Sequence, residues 1–452
     1  MPLPEGPSRA RIARYLLGQE LRSLLLSPAL WLLLAIVSIL VGYSFIQAVA
    51  LYSQASRTAL SFPELAAGMN PLDGILVPTF GAYYLGETLL LPFVAIRLIG
   101  LDKESGALKL LLQLPLSPLS LCAIKLAAMG LLWLLILLPA GLVLLFWHKM
   151  GGHLHLPETA LLFAGHGLYS LVVVTIAMFA AAISDSLPTA AMISLAVTLG
   201  SWVLDFAVSG QGGTMALLGS FSLTSMLHRF ETGLLATSHI AALLGLALFF
   251  FLLTTFWLRP GRTTLSRLGA SLVLVGILAS LLAGVLQTSS ALDLSENRRH
   301  SLNPADSRAL RHLEGTLTMT IHLDRRDSRL LDLEHGILAR LRRAVPHLVV
   351  RYAATGATGL FGASEDPKYG LIEYTYEGRH DQSYSNSAEE ILPIIYRLAG
   401  ITVRAEPVPA YPGYPLVADA GPTGWWFYLV IPLLCLAAAL HGMLLNFYQT
   451  HR

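Results

Sequence analysis

Residues 121–147 read LCAIKLAAMGLLWLLILLPAGLVLLFW, 27 positions with a single charge, at Lys125. Crossing the hydrocarbon core of a bilayer as a helix takes about 20 mostly apolar residues, and this run exceeds that length. Seven further runs of the same kind flank it, at 29–50, 75–98, 159–184, 187–208, 239–258, 269–288 and 424–447. Only Ser184-Asp185-Ser186 separates the fourth from the fifth, with Pro188 just after, so these two read as a tight helical hairpin. Of the 452 residues, 54% are hydrophobic and 13% charged, against about 25% charged in soluble proteins. That excludes an ordinary soluble enzyme, and the apolar content excludes intrinsic disorder. The two cysteines, Cys122 and Cys435, both lie in apolar runs. They exclude a disulfide framework, a cysteine zinc site and an iron–sulfur centre.

The charges are unevenly spread. Residues 289–422 carry 15 Lys/Arg and 17 Asp/Glu in 134 positions, while the other 318 positions carry 26 charges in all. The expected fold class is therefore a polytopic α-helical membrane protein of about eight spans with an inserted α/β extracytoplasmic domain. Orientation follows from Lys and Arg in short loops. With the N-terminus inside, the cytoplasmic pieces hold Arg9, Arg11, Arg14, Arg22, Lys103, Lys109, Arg259, Arg262, Arg267 and Arg452. The opposite short loops hold only Arg57, Lys149 and Arg229. This bias places 289–422 outside the cytoplasm.

Two stretches carry more than membrane insertion. In residues 9–26, Arg11, Arg14 and Arg22 alternate at helical spacing with Ile12, Tyr15, Leu16, Leu21, Leu24 and Leu25, and Ser27-Pro28 ends the run. A basic amphipathic helix of this kind lies flat on membrane lipid; a generic positive-inside anchor has the same composition. The loop after the second run reads RLIGLDKESGALKLLLQLPLSP from Arg97 to Pro118. Its charged cluster Asp102-Lys103-Glu104 precedes Gly106, and a short leucine-faced helix ends at Pro115. A leucine face in a small loop calls for a partner.

That loop resembles the coupling helix of type-2 ABC exporter permeases, and residues 9–26 resemble their elbow helix. The likeness covers about residues 9–260. Phe221–Gly233, just before the sixth run, resembles the outward-facing semi-helical region of that family. The resemblance implies a homodimer of this chain in a bacterial inner (cytoplasmic) membrane. A separate ABC ATP-binding subunit would seat on Asp102, Glu104, Gly106, Leu108, Leu111 and Pro115. The implied division is an amphipathic cytoplasmic elbow helix at 1–28, a six-span permease domain at 29–260, and a linker with the seventh span at 261–288. The extracytoplasmic α/β domain occupies 289–422, and the eighth span with a short tail 423–452. Residues 269–447, with LDLSENRRHSL at 292–302, resemble the extracytoplasmic domain and flanking spans of the auxiliary subunit in gliding-motility-type ABC transporters. The soluble region is shorter here than in that family. An envelope or periplasmic protein is the partner this implies.

The soluble stretch can be read from its own residues. Asn303-Pro304 opens a helix through Leu313. Thr316–Leu323 alternates and is a strand, as are Leu348–Ala353 and Leu371–Tyr376. Residues 330–343 are a helix. Ser387-Ala-Glu-Glu390 is a capping box for a helix to Leu398, ended by Gly400. Ile401–Ala405 is a last short strand, and residues 356–370 and 407–422 are Gly/Pro-rich loops.

Motif chemistry is sparse. None of the five lysines sits in a GxxxxGK[ST] phosphate loop, so the chain is not expected to be an enzyme. It needs no cofactor of its own, and ATP and Mg belong to the partner subunit. No nucleic acid is expected as a partner, although the net charge of +2 by itself argues neither way. Charges inside spans are costly and often functional, which singles out Glu87 and Asp205; either pairing with a neighbouring helix or facing a polar lumen accounts for Glu87. His148, His153, His155 and His166 read as interfacial histidines or as ligands of a metal. The leading expectation is a permease subunit of an exporter. The alternative is a mechanotransmitter that passes ATP-driven motion to an envelope partner without moving a substrate.

Overall fold

The structure is a computed structural model, described over residues 8–208, 219, 222–286, 291–324, 327–353, 368–403 and 411–450. Among them, eight helices are long and apolar enough to cross a membrane. They are Pro28–Ala59, Leu72–Glu104, Pro118–Lys149, Leu156–Ile183, Leu187–Val208, Thr237–Trp257, Thr264–Gly284 and Gly421–Leu445. The protein is membrane-embedded. In a bilayer each backbone polar group must be satisfied within its own helix, and these leucine- and alanine-rich runs favour that state. Pro28 and Pro118 sit in the first turn of their helices, where the missing N–H costs nothing. Pro92 and Pro139 lie inside spans, and the helical segments restart at Leu91 and Leu138 beside them.

The chain forms two units. One holds residues 1–203, 226–290 and 412–452, and the other 204–225 and 291–411. In the first unit the fourth span is the inner helix, with 72% of its apolar window buried, whereas the seventh has 6%. The fourth packs on the second and sixth spans, and the seventh packs on the sixth. The helix Arg9–Leu25 precedes the first span, packs along Pro118–Ile136, and buries Leu16 and Leu24.

The returning end of the chain closes on the first span. Tyr414 N donates to Met69 O at 2.9 Å, and Tyr52 Oη donates to Tyr414 O at 2.8 Å. Leu416 N donates to Ser56 Oγ, and Ala418 N to Ser53 Oγ. Residues 412–422, expected at the end of the soluble stretch, thus belong with the spans. Serines and a tyrosine of the first span satisfy the backbone of this non-helical segment. Deeper in, Ser38 Oγ donates to Phe427 O, and Gly42 makes the room that the Phe427 ring occupies.

The second unit contains a four-stranded mixed sheet: β1 (Leu317–Ile321), β2 (Leu348–Tyr352), β3 (Ile372–Tyr376) and β4 (Arg379–Ser383), in spatial order β2-β1-β3-β4. β1 runs parallel to β2 and antiparallel to β3, and β3–β4 is a hairpin. Leu317, Met319 and Ile321 alternate inward beside Ile372, Tyr374 and Tyr376. The helical stretch 328–344, kinked at Gly336, and the helix Ala388–Ala399 cover this core with Leu333, Leu338, Leu341, Ile391, Ile395 and Leu398. Asn303 caps Pro304–Arg311 as expected, accepting from Ala305 N at 3.2 Å. In the LDLSENRRHSL stretch, Asp293 accepts from Ser295 N, His300 N and Ser301 Oγ and so organises the turn.

Two expectations need correction. Ser387 begins its helix without a side-chain cap bond, so the capping box is not formed. Residues 401–403 are not a strand; 404 and 405 lie outside the described residues, as does most of the 356–370 loop. β4 was not anticipated, because Arg-His-Asp-Gln-Ser has no apolar alternation.

Candidate functional site

The second span ends in a helical elbow. Arg97–Glu104 stops at Ser105, Gly106 takes φ +77°, and Ala107–Leu111 starts in a new direction. A left-handed φ of this kind strains a residue with a Cβ, so glycine is favoured here. Three neighbours hold the elbow. Asp102 Oδ2 lies 2.6 Å from Lys125 Nζ of the third span, and Glu20 of the N-terminal helix takes the same ammonium. Lys103 Nζ donates to Ala182 O (3.1 Å) and Ser184 O (2.5 Å) at the end of the fourth span. Glu104 Oε1 accepts from Leu187 N at 3.0 Å, the first residue of the fifth span. The last bond satisfies a free N–H at a helix start and places negative charge there, as a capping carboxylate does.

The electrostatics centre on Lys125, whose side chain is 1% exposed. A cation buried this deeply persists only if paired, and two carboxylates from different elements meet it. Burial pushes the Glu20 carboxyl above its ordinary value, while the Lys125 ammonium pulls the other way. The structure thus gives Asp102 and Glu104 inward roles, bracing the elbow. The leucine face is also divided. Leu108 is 8% exposed and packed within the chain, Leu111 is half-buried, and Leu110 is 68% exposed beside the exposed Lys109. Pro115 is exposed in the turn that leads to Ser117, and Ser117 caps the third span by accepting from Ser120 N.

No family model, curated protein or solved structure matches the chain.

Within the bundle, Glu87 is 2% exposed. Its Oε2 is 2.7 Å from His166 Nδ1, and its Oε1 accepts from Ser170 Oγ. Both partners lie on the fourth span, so Glu87 faces its neighbour helix. Phe80 and Tyr83 pack against the His166 ring. On the far side of that ring, His166 Nε2 lies 3.5 Å from Glu231 Oε1, and Glu231 Oε2 is 2.9 Å from His228 Nδ1. Asp205 is half-buried near the end of the fifth span.

The four histidines have different neighbours. His148 is exposed at the end of Leu138–Lys149. His153 stacks on Tyr414 at 3.6 Å, and His155 precedes the fourth span, where its carbonyl accepts from Thr159. His166 alone is deep in the bundle. The sequence left Lys125, Glu20 and Glu231 without roles, and His166, read there as interfacial or metal-ligating, is instead buried against Glu87. Lys125 carried a signal, since a cation five residues into an apolar run implies a carboxylate partner nearby. His166 is the equivalent case for Glu87, but nothing in sequence spacing pairs positions 79 apart.

Proposed function

We propose that this chain is the membrane permease subunit of an ATP-driven transporter of the ABC class, an exporter that works as a homodimer with separate ATP-binding subunits. The observation that carries the reading is the braced elbow at residues 97–118. It presents Lys109 and Leu110 outward while ion pairs and hydrogen bonds tie its base to the N-terminal helix and to the third, fourth and fifth spans. A force applied at Leu110 would be delivered to those four elements together, which suits a lever between an ATPase and a bundle. Burying Leu110 on a partner contributes roughly 1.5–3 kcal/mol before the costs of association. The charge bias of the short loops supports placing this elbow in the cytoplasm and the sheet-bearing unit, read as an extracytoplasmic α/β domain, on the other side.

The mechanotransmitter reading is favoured by Glu87. Its two oxygens are already engaged by His166 and Ser170, which leaves neither oxygen free for a passing substrate. In that case the extracytoplasmic domain is the output, acting on an envelope protein.

The test is site-directed crosslinking in membranes. A cysteine replacing Lys109 is expected to capture a separate ATP-binding subunit present in the same membranes. If it reacts only with lipid-phase probes while that subunit is present, the elbow is an interfacial helix and the ABC reading loses its support.

A further inference from the structure

Four titratable side chains stand in a row from the surface of the first unit to its interior, each within 3.5 Å of the next. His228 is 66% exposed; its Nδ1 is 2.9 Å from Glu231 Oε2. Glu231 Oε1 is 3.5 Å from His166 Nε2, and His166 Nδ1 is 2.7 Å from Glu87 Oε2. His166 is fully buried, and its Nε2 has no hydrogen bond among the described residues, so it faces Glu231 with its capacity unused. Glu87 lies about 22 Å along the second span from Leu72, taking 1.5 Å per residue, which is deep in the hydrocarbon.

The fold builds this line deliberately from separate elements. The short helix Leu223–Glu231 turns Leu227 and Phe230 against Gly165 of the fourth span, where a larger residue would collide with the Phe230 side chain. That close approach sets Glu231 over His166. Other polar groups near the line come from every packed element. They are Tyr83 on the second span, Trp133 on the third, Tyr169 and Ser170 on the fourth, Arg229 on the short helix and His239 on the sixth span. Tyr169 is engaged with Thr88 at 2.7 Å, and Arg229 acts on His239. A carboxylate that only needed an ion-pair partner would be served by His166 alone. The second carboxylate and the exposed imidazole add a connection to water.

We propose that His228, Glu231, His166 and Glu87 are a proton-transfer path, with the buried Glu87 carboxylate as its proton-binding end. A hydronium ion protonates His228 at Nε2 and leaves as water, and the Nδ1–H of the resulting imidazolium passes its proton to Glu231 Oε2. A half-turn of the carboxyl group presents that proton to His166 Nε2. His166 becomes an imidazolium for that step and releases its Nδ1 proton to Glu87 Oε2. One proton has entered, Glu87 has gone from carboxylate to carboxylic acid, and His228 and Glu231 have returned to their starting charge. His166 ends neutral with its proton on Nε2. The path stands on these distances and not on the ABC reading.

The experiment uses the full chain in lipid nanodiscs, with hydronium as the probe. Infrared difference spectra are recorded after a jump from about pH 8 to about pH 5, the range in which imidazole changes charge. A carbonyl band of a protonated carboxylic acid is expected, absent in Glu87→Gln. Its rise is expected to slow roughly 100-fold in Glu231→Gln and in His228→Ala, the size of a lost acid–base group. Free imidazole in the bath is expected to restore the rate in His228→Ala, an exposed site whose replacement leaves the bundle intact. No band dependent on Glu87 overturns the proposal. So does a rise in His228→Ala that matches the unaltered chain and ignores imidazole.

Discussion

Lys125 illustrates what a single buried charge does in this protein. Its ammonium is held by Asp102 from the elbow and Glu20 from the N-terminal helix, so one side chain joins three elements. Replacing it by Met leaves two carboxylates facing each other with no cation between them. Breaking a buried pair from one side costs about 3–5 kcal/mol. Lys125→Met is therefore expected to lower the melting temperature of the purified chain, read by intrinsic tryptophan fluorescence. Adding Glu20→Gln and Asp102→Asn should recover most of the loss, because no uncompensated charge then remains. A triple variant as unstable as the single one would show that packing, not charge, dominates at this position.

Asp327 is a second case, in the sheet-bearing unit. The Arg329 guanidinium, with help from the Tyr369 hydroxyl, holds its carboxyl well below the usual range, at about 2. The folded value lies below the unfolded one of about 3.9, so this contribution is present above about pH 4 and is lost as pH falls through about 2. Hydrogen exchange at the start of the Ser328–Leu333 helix should rise over that window. Asp327→Asn should show the raised exchange already at neutral pH.

Among elements, the elbow holds one leucine inside the chain and turns another outward. Leu108 and Leu110 lie on one short helix, yet one is packed inside and the other faces out. Leu110→Asp is expected to reduce co-purification of the ATP-binding subunit with the chain's own melting unchanged. Leu108→Asp should lower the melting temperature itself, since a buried leucine contributes about 1.5–3 kcal/mol and a charge in its place has no partner. Equal effects of the two on melting would remove the distinction. The strand and helix expectations in the sheet-bearing unit show why some elements were legible. Leu317–Ile321 and Ile372–Tyr376 bury alternate residues, and that period is written in the sequence. β4 is half of a hairpin whose signal is the turn: Glu377 and Gly378 both have positive φ, at 47° and 80°. Two consecutive positive values are the geometry of a two-residue hairpin turn. The strand itself is polar because it is an edge and its side chains meet water.

For the molecule as a whole, the eighth span is not an appendage. Phe427 fills the space beside Gly42, and the segment before it is hydrogen-bonded to Tyr52, Ser53, Ser56 and Met69. Gly42→Val is expected to push Phe427 aside and cost about 1–3 kcal/mol, as overpacking does, with faster proteolysis of residues 411–420 as the readout. Unchanged cleavage would mean that the two spans are not tightly joined. The number and places of the spans were legible from apolar runs alone, because a bilayer imposes one requirement on every helix that crosses it, length without charge; their ends were not, since Pro28–Ala59 and Leu72–Glu104 run past the apolar stretches. The position of the elbow was legible too, since Gly106 and Pro115 are local backbone signals. What only the tertiary structure decided is which charges meet. Lys125 with Asp102 and Glu20, Glu104 with Leu187, and Glu87 with His166 are pairs between distant elements, chosen by how helices pack. Helix periodicity constrains neighbours three or four residues apart and carries no information about a partner on another helix, so those pairings, and with them the candidate site, appear only once the spans are placed side by side.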